Sequence, residues 1–294
     1  MLQWQPDWLL WGFLFIFGAT IGSFLNVVIY RLPRAESVVA PPSHCFSCGA
    51  RLTIIDLFPV LSYLWLRGRC RHCGKGFSPR YALVEVACGL LAVACVMHFW
   101  LTLYALGIFI VSLCLIAIFF IDLDYMIIPD EFVAVIALVG LAINGYDLVV
   151  RGALTVSDMD IRRGPAALLF QESLGNSHFN IFLPTAIVGM LVGAGLLLFL
   201  GWVFERIMGK PSMGGGDVKL AGAMGTLLGP GYLFLSYFLL AVISGAVIGL
   251  AVMALKLRGR RDYIPFGPML AASAIVMLLW GNSVAPWIIG RFSG

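Results

Sequence analysis

Charge is scarce in this chain. Of 294 residues only 12% are Asp, Glu, Lys or Arg, while 61% are hydrophobic. That charged fraction is about half what an ordinary soluble domain carries, which excludes a soluble globular fold and implies a polytopic membrane protein. A basic region before the first apolar run is also missing, and that run is too long for a cleaved signal, so residues 9–30 read as a retained first span. The formal net charge is only +4; with so few charges it reports membrane topology and gives no reason to invoke nucleic acid.

What the chain has instead is long charge-free stretches. Leu9 to Tyr30, Val86 to Ile121, Ile181 to Phe204, Leu220 to Leu255 and Tyr263 to Gly290 each meet or exceed the roughly 20 residues of one bilayer crossing. The second run divides between His98 and Thr102, and the fourth at Gly229-Pro230-Gly231. With a weaker span from Glu131 to Val149, the expectation is eight crossings and both termini on one side. The segment before Gly229 is the shortest. It crosses only if its helix starts near Gly216 and Lys219 snorkels. The fold expected is thus all-α: a polytopic membrane protein of about eight transmembrane helices, with a cytoplasmic zinc-ribbon-like loop between helices 1 and 2.

Lys and Arg placement orients the bundle. The stretch from Arg31 to Arg80 holds eight of them, a cytoplasmic mark under the positive-inside rule. Glu205 to Lys219 and Lys256 to Arg261 fall on the same side, and the polar loop at 150–180 falls outside. The domain division expected is residues 1–31 as the first span, 32–81 as the cytoplasmic cysteine loop and 82–294 as the remaining membrane domain.

Four of the seven cysteines sit in that cytoplasmic loop, in CFSC (Cys45, Cys48) and CRHC (Cys70, Cys73), with 21 residues between the pairs. Each Cys-x-x-Cys makes one knuckle, and two knuckles complete a tetrahedral thiolate cage for Zn2+. A reducing compartment argues against disulfides; a redox pair or unmetallated thiols is the other reading of the spacing. His44 and His72 adjoin the cysteines, but four thiolates leave no vacancy, so the metal would be structural. Cys88, Cys95 and Cys114 lie within spans and read as small buried hydrophobes.

Ionisable groups at span edges are costly and are functional candidates by default. FFIDLDYMIIPDEF places Asp122, Asp124 and Asp130 at the end of the third span and the start of the fourth; GGGDVKL places Asp217 at the start of the sixth. The topology brings both stretches to the cytoplasmic face, so carboxylates distant in sequence share one depth. Two such groups a few ångströms apart cannot both ionise easily, and the pair holds one proton. The ionised member draws a proton from water while the other hydrogen-bonds a scissile carbonyl, which is aspartyl-protease chemistry. Gly214, Gly215 and Gly216 leave room for a peptide backbone beside Asp217. Each aspartate taken alone also reads as a helix cap, the preferred reading for Asp130.

With these residues in place the whole chain resembles the type IV prepilin peptidase family, bifunctional leader peptidases and N-methyltransferases. GSFLNVVIYRLP (residues 22–33) is similar to the family's first-span signature, and residues 43–85 to its cysteine-containing loop. IDLDYMIIPD and GGGDVKL resemble its two catalytic aspartate motifs, the second being its Gly-x-Gly-Asp, and IPFGPML (264–270) its last-span signature. The resemblance implies cleavage of the basic leader from prepilins or type II secretion pseudopilins at the cytoplasmic membrane face. It also implies methylation of the new N-terminus with S-adenosylmethionine. It implies catalysis by Asp217 with Asp122, the aspartate seven residues before the proline of the Ile-Pro-Asp element. Asp124 is the alternative; two residues apart on a helix is about 200° around the axis, so only one can face Asp217. No Gly-rich nucleotide-binding loop of the Rossmann kind is present, so the methyl donor rests on the resemblance, with no residue assigned to it. Gly22, Asn26 and Glu85 are polar or small features near the first span and loop that also read as helix packing.

A reading from another class is an ion- or proton-coupled transporter using the same membrane-edge acids. It expects a polar pathway and an internal hydropathy repeat, and the spans display neither. The localisation expected is the bacterial cytoplasmic membrane, with the lipid bilayer and a prepilin as partners and no nucleic acid. The oligomeric state and the prepilins processed are not legible.

Overall fold

The computed structural model describes residues 8–53, 55–150, 185–209, 213–255 and 265–292. The expected outer loop at 150–180 lies, from residue 151 on, outside the described residues, as do the basic residues 256–261. Among the described residues the chain is helical with no strand, apart from isolated bridges between His44 and Arg51 and between Arg69 and Gly76. The helices are α1 (Trp8–Arg31), α2 (Leu61–Trp65), α3 (Arg80–Phe99), α4 (Leu103–Tyr125), α5 (Asp130–Val150), α6 (Thr185–Met208), α7 (Gly215–Leu228), α8 (Tyr232–Ala254) and α9 (Gly267–Phe292).

Local chemistry ends these helices where the apolar runs stop. After α1 a short 3-10 turn, Leu32–Arg34, carries Pro33 and closes on Ala35 in the left-handed region. α4 ends with Met126, also left-handed at φ 56°, whose N–H reaches the Asp122 carbonyl at 3.0 Å. Pro129 then cannot extend a helix backward, and α5 starts at the next residue. Gly229, at φ 69°, and Pro230 separate α7 from α8.

Among the described residues six helices, α1, α3, α4, α6, α8 and α9, are long and apolar enough to cross a bilayer. The other two expected crossings, α5 and α7, are not among them, so a count of eight is not established. At 14 residues, α7 is about 21 Å long, short of the roughly 30 Å hydrocarbon core.

The chain divides into two compact units, Met1–Ala117 and Ile118–Gly294, with the boundary inside α4. Lipid tails are as apolar as leucine, so helices in a bilayer associate through close packing rather than hydrophobic burial. In the first unit α1 and α3 do this through glycines. A Cβ added to Gly22 would stand 2.9 Å from the Glu85 Cα, and one on Gly89 would stand 2.7 Å from the Phe15 ring. Asn26 Nδ2 donates to the Tyr81 carbonyl at 3.0 Å, so Gly22 and Asn26 serve helix packing. Cys88, Cys95 and Cys114 are buried as expected.

In the second unit the short α7 is gripped from two sides. Gly189 of α6 and Gly225 of α7 put backbone against backbone, and Gly193 packs on the Ala221 carbonyl. On the other side Gly140 of α5 faces Thr226, whose carbonyl accepts Asn144 Nδ2 at 3.0 Å. This double grip holds the C-terminal half of α7, from Ala221 to Thr226, against both neighbours.

Candidate active site and metal centre

Asp122 and Asp217 both belong to the second unit. Asp122 lies in the last turn of α4 and is buried, with 6% of its surface exposed. Its carboxylate accepts the backbone N–H of Gly267, the first residue of α9. Gly267 is glycine of necessity here: a Cβ would fall 2.5 Å from Asp122 Oδ2 and 3.2 Å from Ile128 Cδ1. Ile128 also touches the glycine run before Asp217, since a Cβ on Gly216 would lie 2.9 Å from the Ile128 Cβ. One side chain therefore bridges the turn carrying Asp217 and the turn touching Asp122. The two carboxylates lie within electrostatic reach of one another.

Asp217 is half-buried and third into α7 after the N-cap Gly214. Its N–H donates to the Gly214 carbonyl at 3.1 Å, and its carboxylate accepts the Gly214 N–H in return. This is the backward-reaching half of a capping box. Capping and pairing are thus not alternatives: the cap fixes the carboxylate's orientation, leaving lone pairs for a second partner. Gly214 and Gly215 are exposed, and among the described residues nothing stands where a Gly215 side chain would be.

Asp124 is exposed, about 200° around α4 from Asp122, whereas Asp122 is buried and in electrostatic reach of Asp217. Asp130 begins α5 and pairs with Lys219 Nζ through both oxygens at 2.8 Å. Lys219 thus has an ionic partner at the start of α5. Three further participants carried weaker sequence signals. Ile128 and Gly267 sit inside quoted motifs but offer no titratable group. Tyr237, fully buried with its hydroxyl lacking a hydrogen-bond partner, looks like any aromatic in an apolar run, yet it is in electrostatic contact with Asp217.

The first unit contains the cysteine cluster. Cys45, Cys48, Cys70 and Cys73 present their sulfurs within 4.8 Å of one another; Cys45 to Cys73 is 3.9 Å and Cys48 to Cys70 is 4.0 Å. A tetrahedral site with Zn–S bonds of about 2.3 Å needs sulfurs about 3.8 Å apart, so the four fit a zinc ion. The two halves repeat one design. Cys45 N–H donates to the Ala50 carbonyl and Gly49 N–H to Cys45; Cys70 N–H donates to Lys75 and Gly74 N–H to Cys70. Gly49 and Gly74 adopt φ 71° and 68°, the left-handed turn each knuckle requires. Backbone N–H groups of Ser47 and Cys48 lower the Cys45 thiol, while, against the Ala50 N–H, burial and the neighbouring sulfurs push the Cys48 thiol up, so within the first knuckle Cys45 is the readier thiolate. Asp56, bonded by Thr53 and paired with Arg71 at 3.0 Å, ties the intervening segment to the second knuckle.

A helical chain with six candidate membrane spans and two aspartates in electrostatic reach of one another at helix ends has the make-up of a membrane aspartyl peptidase. Residues 108–250 match the type IV leader peptidase family, and residues 16–99 match the bacterial peptidase A24 N-terminal domain. The chain is 34% identical to a prepilin leader peptidase/N-methyltransferase of Aeromonas hydrophila, over 97% of this chain and 96% of that one. It is 31% identical to proteins of the same description from Pseudomonas putida, over 92% and 90%, and Legionella pneumophila, over 96% and 96%. No solved structure matches. The chain belongs to the type IV leader peptidase family.

Proposed function

We propose that the chain cleaves the basic leader from type IV prepilins or pseudopilins at the cytoplasmic face of the bacterial inner membrane and then methylates the new N-terminal amine. The observation that carries the peptidase half is the convergence of Asp122 and Asp217 around Ile128 and Gly267. The names of the relatives support substrate and methylation, and the eight Lys and Arg residues between Arg31 and Arg80 support the cytoplasmic side.

In this reading the pair shares one proton. The ionised carboxylate takes a proton from a water whose oxygen adds to the scissile carbonyl carbon, and the protonated partner donates to the carbonyl oxygen. The resulting gem-diol collapses as its C–N bond breaks and a proton passes to the leaving amine. Gly214 and Gly215, both exposed, accommodate the peptide backbone beside Asp217, while Gly216 is taken up by Ile128. Zinc, held by the four cysteines, would be structural, because four thiolates leave no open position. S-adenosylmethionine is the methyl donor that the resemblance implies.

The test is cleavage of a prepilin by the membrane-reconstituted full chain. Asp122→Asn and Asp217→Asn are each expected to lower the rate by at least about 10²-fold, and normal processing by either would defeat the assignment.

A further inference from the structure

In the first unit one short segment combines a strained turn, a buried acid and a bare apolar ridge. Val60 adopts φ 60° and ψ −50°, and Leu61 N–H donates back to the Pro59 carbonyl at 2.5 Å. These are the marks of the rare, strained form of γ-turn, and a β-branched residue at positive φ is a genuine outlier. Such conformations persist only where the surroundings over-determine them. Here the determinant is Glu85: its Oε2 accepts the Val60 N–H at 2.8 Å.

Glu85 fixes the depth of this turn. α3 has 20 residues, about 30 Å or the full hydrocarbon thickness, and Glu85 is its sixth residue, about 7.5 Å from its start. Side chains on a helix lean toward the N-terminus, so the carboxylate reaches back to the boundary. With α3 taken as one crossing that begins at Arg80, the Val60 backbone comes to the level of the membrane surface. α2 starts at the next residue. Its apolar side chains are largely uncovered among the described residues: Trp65 is 88% exposed, Leu61 58% and Leu64 64%, and Phe58 just before the turn is also exposed. Arg67 and Arg69 follow immediately and are exposed.

We infer that residues 57–69 form an interfacial anchor, with Phe58, Leu61, Leu64 and Trp65 seated in the headgroup–acyl boundary of the bilayer and Arg67 and Arg69 among the lipid phosphates. An apolar ridge held at interface depth and left largely uncovered by the described residues has lipid as its neighbour. A Trp at one edge with cationic residues behind it is the composition that layer selects. The Glu85 clamp would then hold the loop against the membrane.

The experiment uses the full chain in nanodiscs containing phosphatidylglycerol, with and without acyl-brominated lipid. The fluorescence of Trp65 is taken as the difference between wild type and Trp65→Phe. The anchor predicts that brominated lipid removes most of that difference signal and that aqueous iodide does not. Strong quenching by iodide with none by brominated lipid overturns it. A second measurement needs no substitution: a phospholipid with an acyl-chain diazirine is photolysed in nanodiscs, and tagged peptides are mapped. Labelling across 57–65 is expected. Its absence overturns the inference, as does protection of this segment by a prepilin when no lipid label is found there.

Discussion

The two units of the chain treat their buried acids differently. In the first, Glu85 is buried on α3 and answered by a neutral donor, the Val60 N–H. In the second, Asp122 is buried on α4, also accepts one backbone N–H, from Gly267, but faces a further carboxylate, Asp217. Burial is therefore common to a clamp and to a reacting group. What separates them is whether the second partner is neutral or of like charge, because only the like-charged pair has a proton to share. The cysteine cage follows the first pattern: every sulfur faces the other three, and with metal bound nothing is left open.

The largest effect expected from breaking this contrast is metal removal. Structural zinc in small modules contributes on the order of 10–16 kcal/mol of binding free energy to folding. A chelator should therefore release one metal per chain and abolish amide-exchange protection at Cys45, Gly49, Cys70 and Gly74, the four knuckle N–H groups. Protection along α7 in the other unit should persist. Loss of peptidase activity with the knuckles still protected would contradict a purely structural metal.

Next in size is a matched pair of neutralisations. Asp122→Asn should cost at least about 10²-fold in the cleavage rate. Glu85→Gln keeps an acceptor for Val60 and should lower stability by only about 1 kcal/mol, with cleavage within a few-fold of wild type. Equal losses from both would show that the acids do not differ in the way the geometry describes.

A finer break targets the seam around Asp122. Gly267→Ala would place a methyl 2.5 Å from Asp122 Oδ2, and the carboxylate must shift. Overpacking costs roughly 1–3 kcal/mol, and displacement of a reacting group by about 1 Å can cost 10²-fold in rate. The expectation is a fold that survives thermal denaturation assays while kcat drops by about that factor and KM changes little. An unchanged kcat would mean that Asp122 tolerates relocation and is not positioned for chemistry.

Much of this was legible in the sequence because membrane chains spell their architecture in long apolar runs. Helix starts and stops at Pro33, Pro129 and Gly229 fell where punctuation residues stand. The cysteine cluster was legible because both knuckles repeat Cys-x-x-Cys-Gly in one continuous loop. Which aspartate of DLD turns toward Asp217 was not, since it depends on the rotation of α4 about its axis, which apolar residues on all sides do not encode. Nor was the span status of α7 legible. Its 14 residues are apolar enough to read as part of a crossing, and their grip by Gly140, Gly189 and Gly193 involves contacts with Thr226, Gly225 and Ala221, all distant in sequence. The Val60 turn was hidden for a similar reason: Pro59-Val60 carries no signal for positive φ, and the constraint comes from Glu85, 25 residues away.

The smallest effect expected is at the rim of the second unit, and it sharpens the comparison from the opposite side. Lys219 and Asp130 form a bidentate pair at 2.8 Å, but both are exposed, and such pairs contribute about 0–1 kcal/mol. Lys219→Met should therefore shift stability within that range and leave cleavage within about twofold, as should Asp124→Asn on the exposed side of α4. The pair joins the start of α5 to the start of α7, so its measurable role would be to limit fraying of the turn that carries Asp217. Amide exchange at Val218 and Leu220 in Lys219→Met reads this directly. A large loss of cleavage on breaking this exposed contact would place a charge requirement outside the buried pair and undo the distinction drawn between answered and unanswered acids.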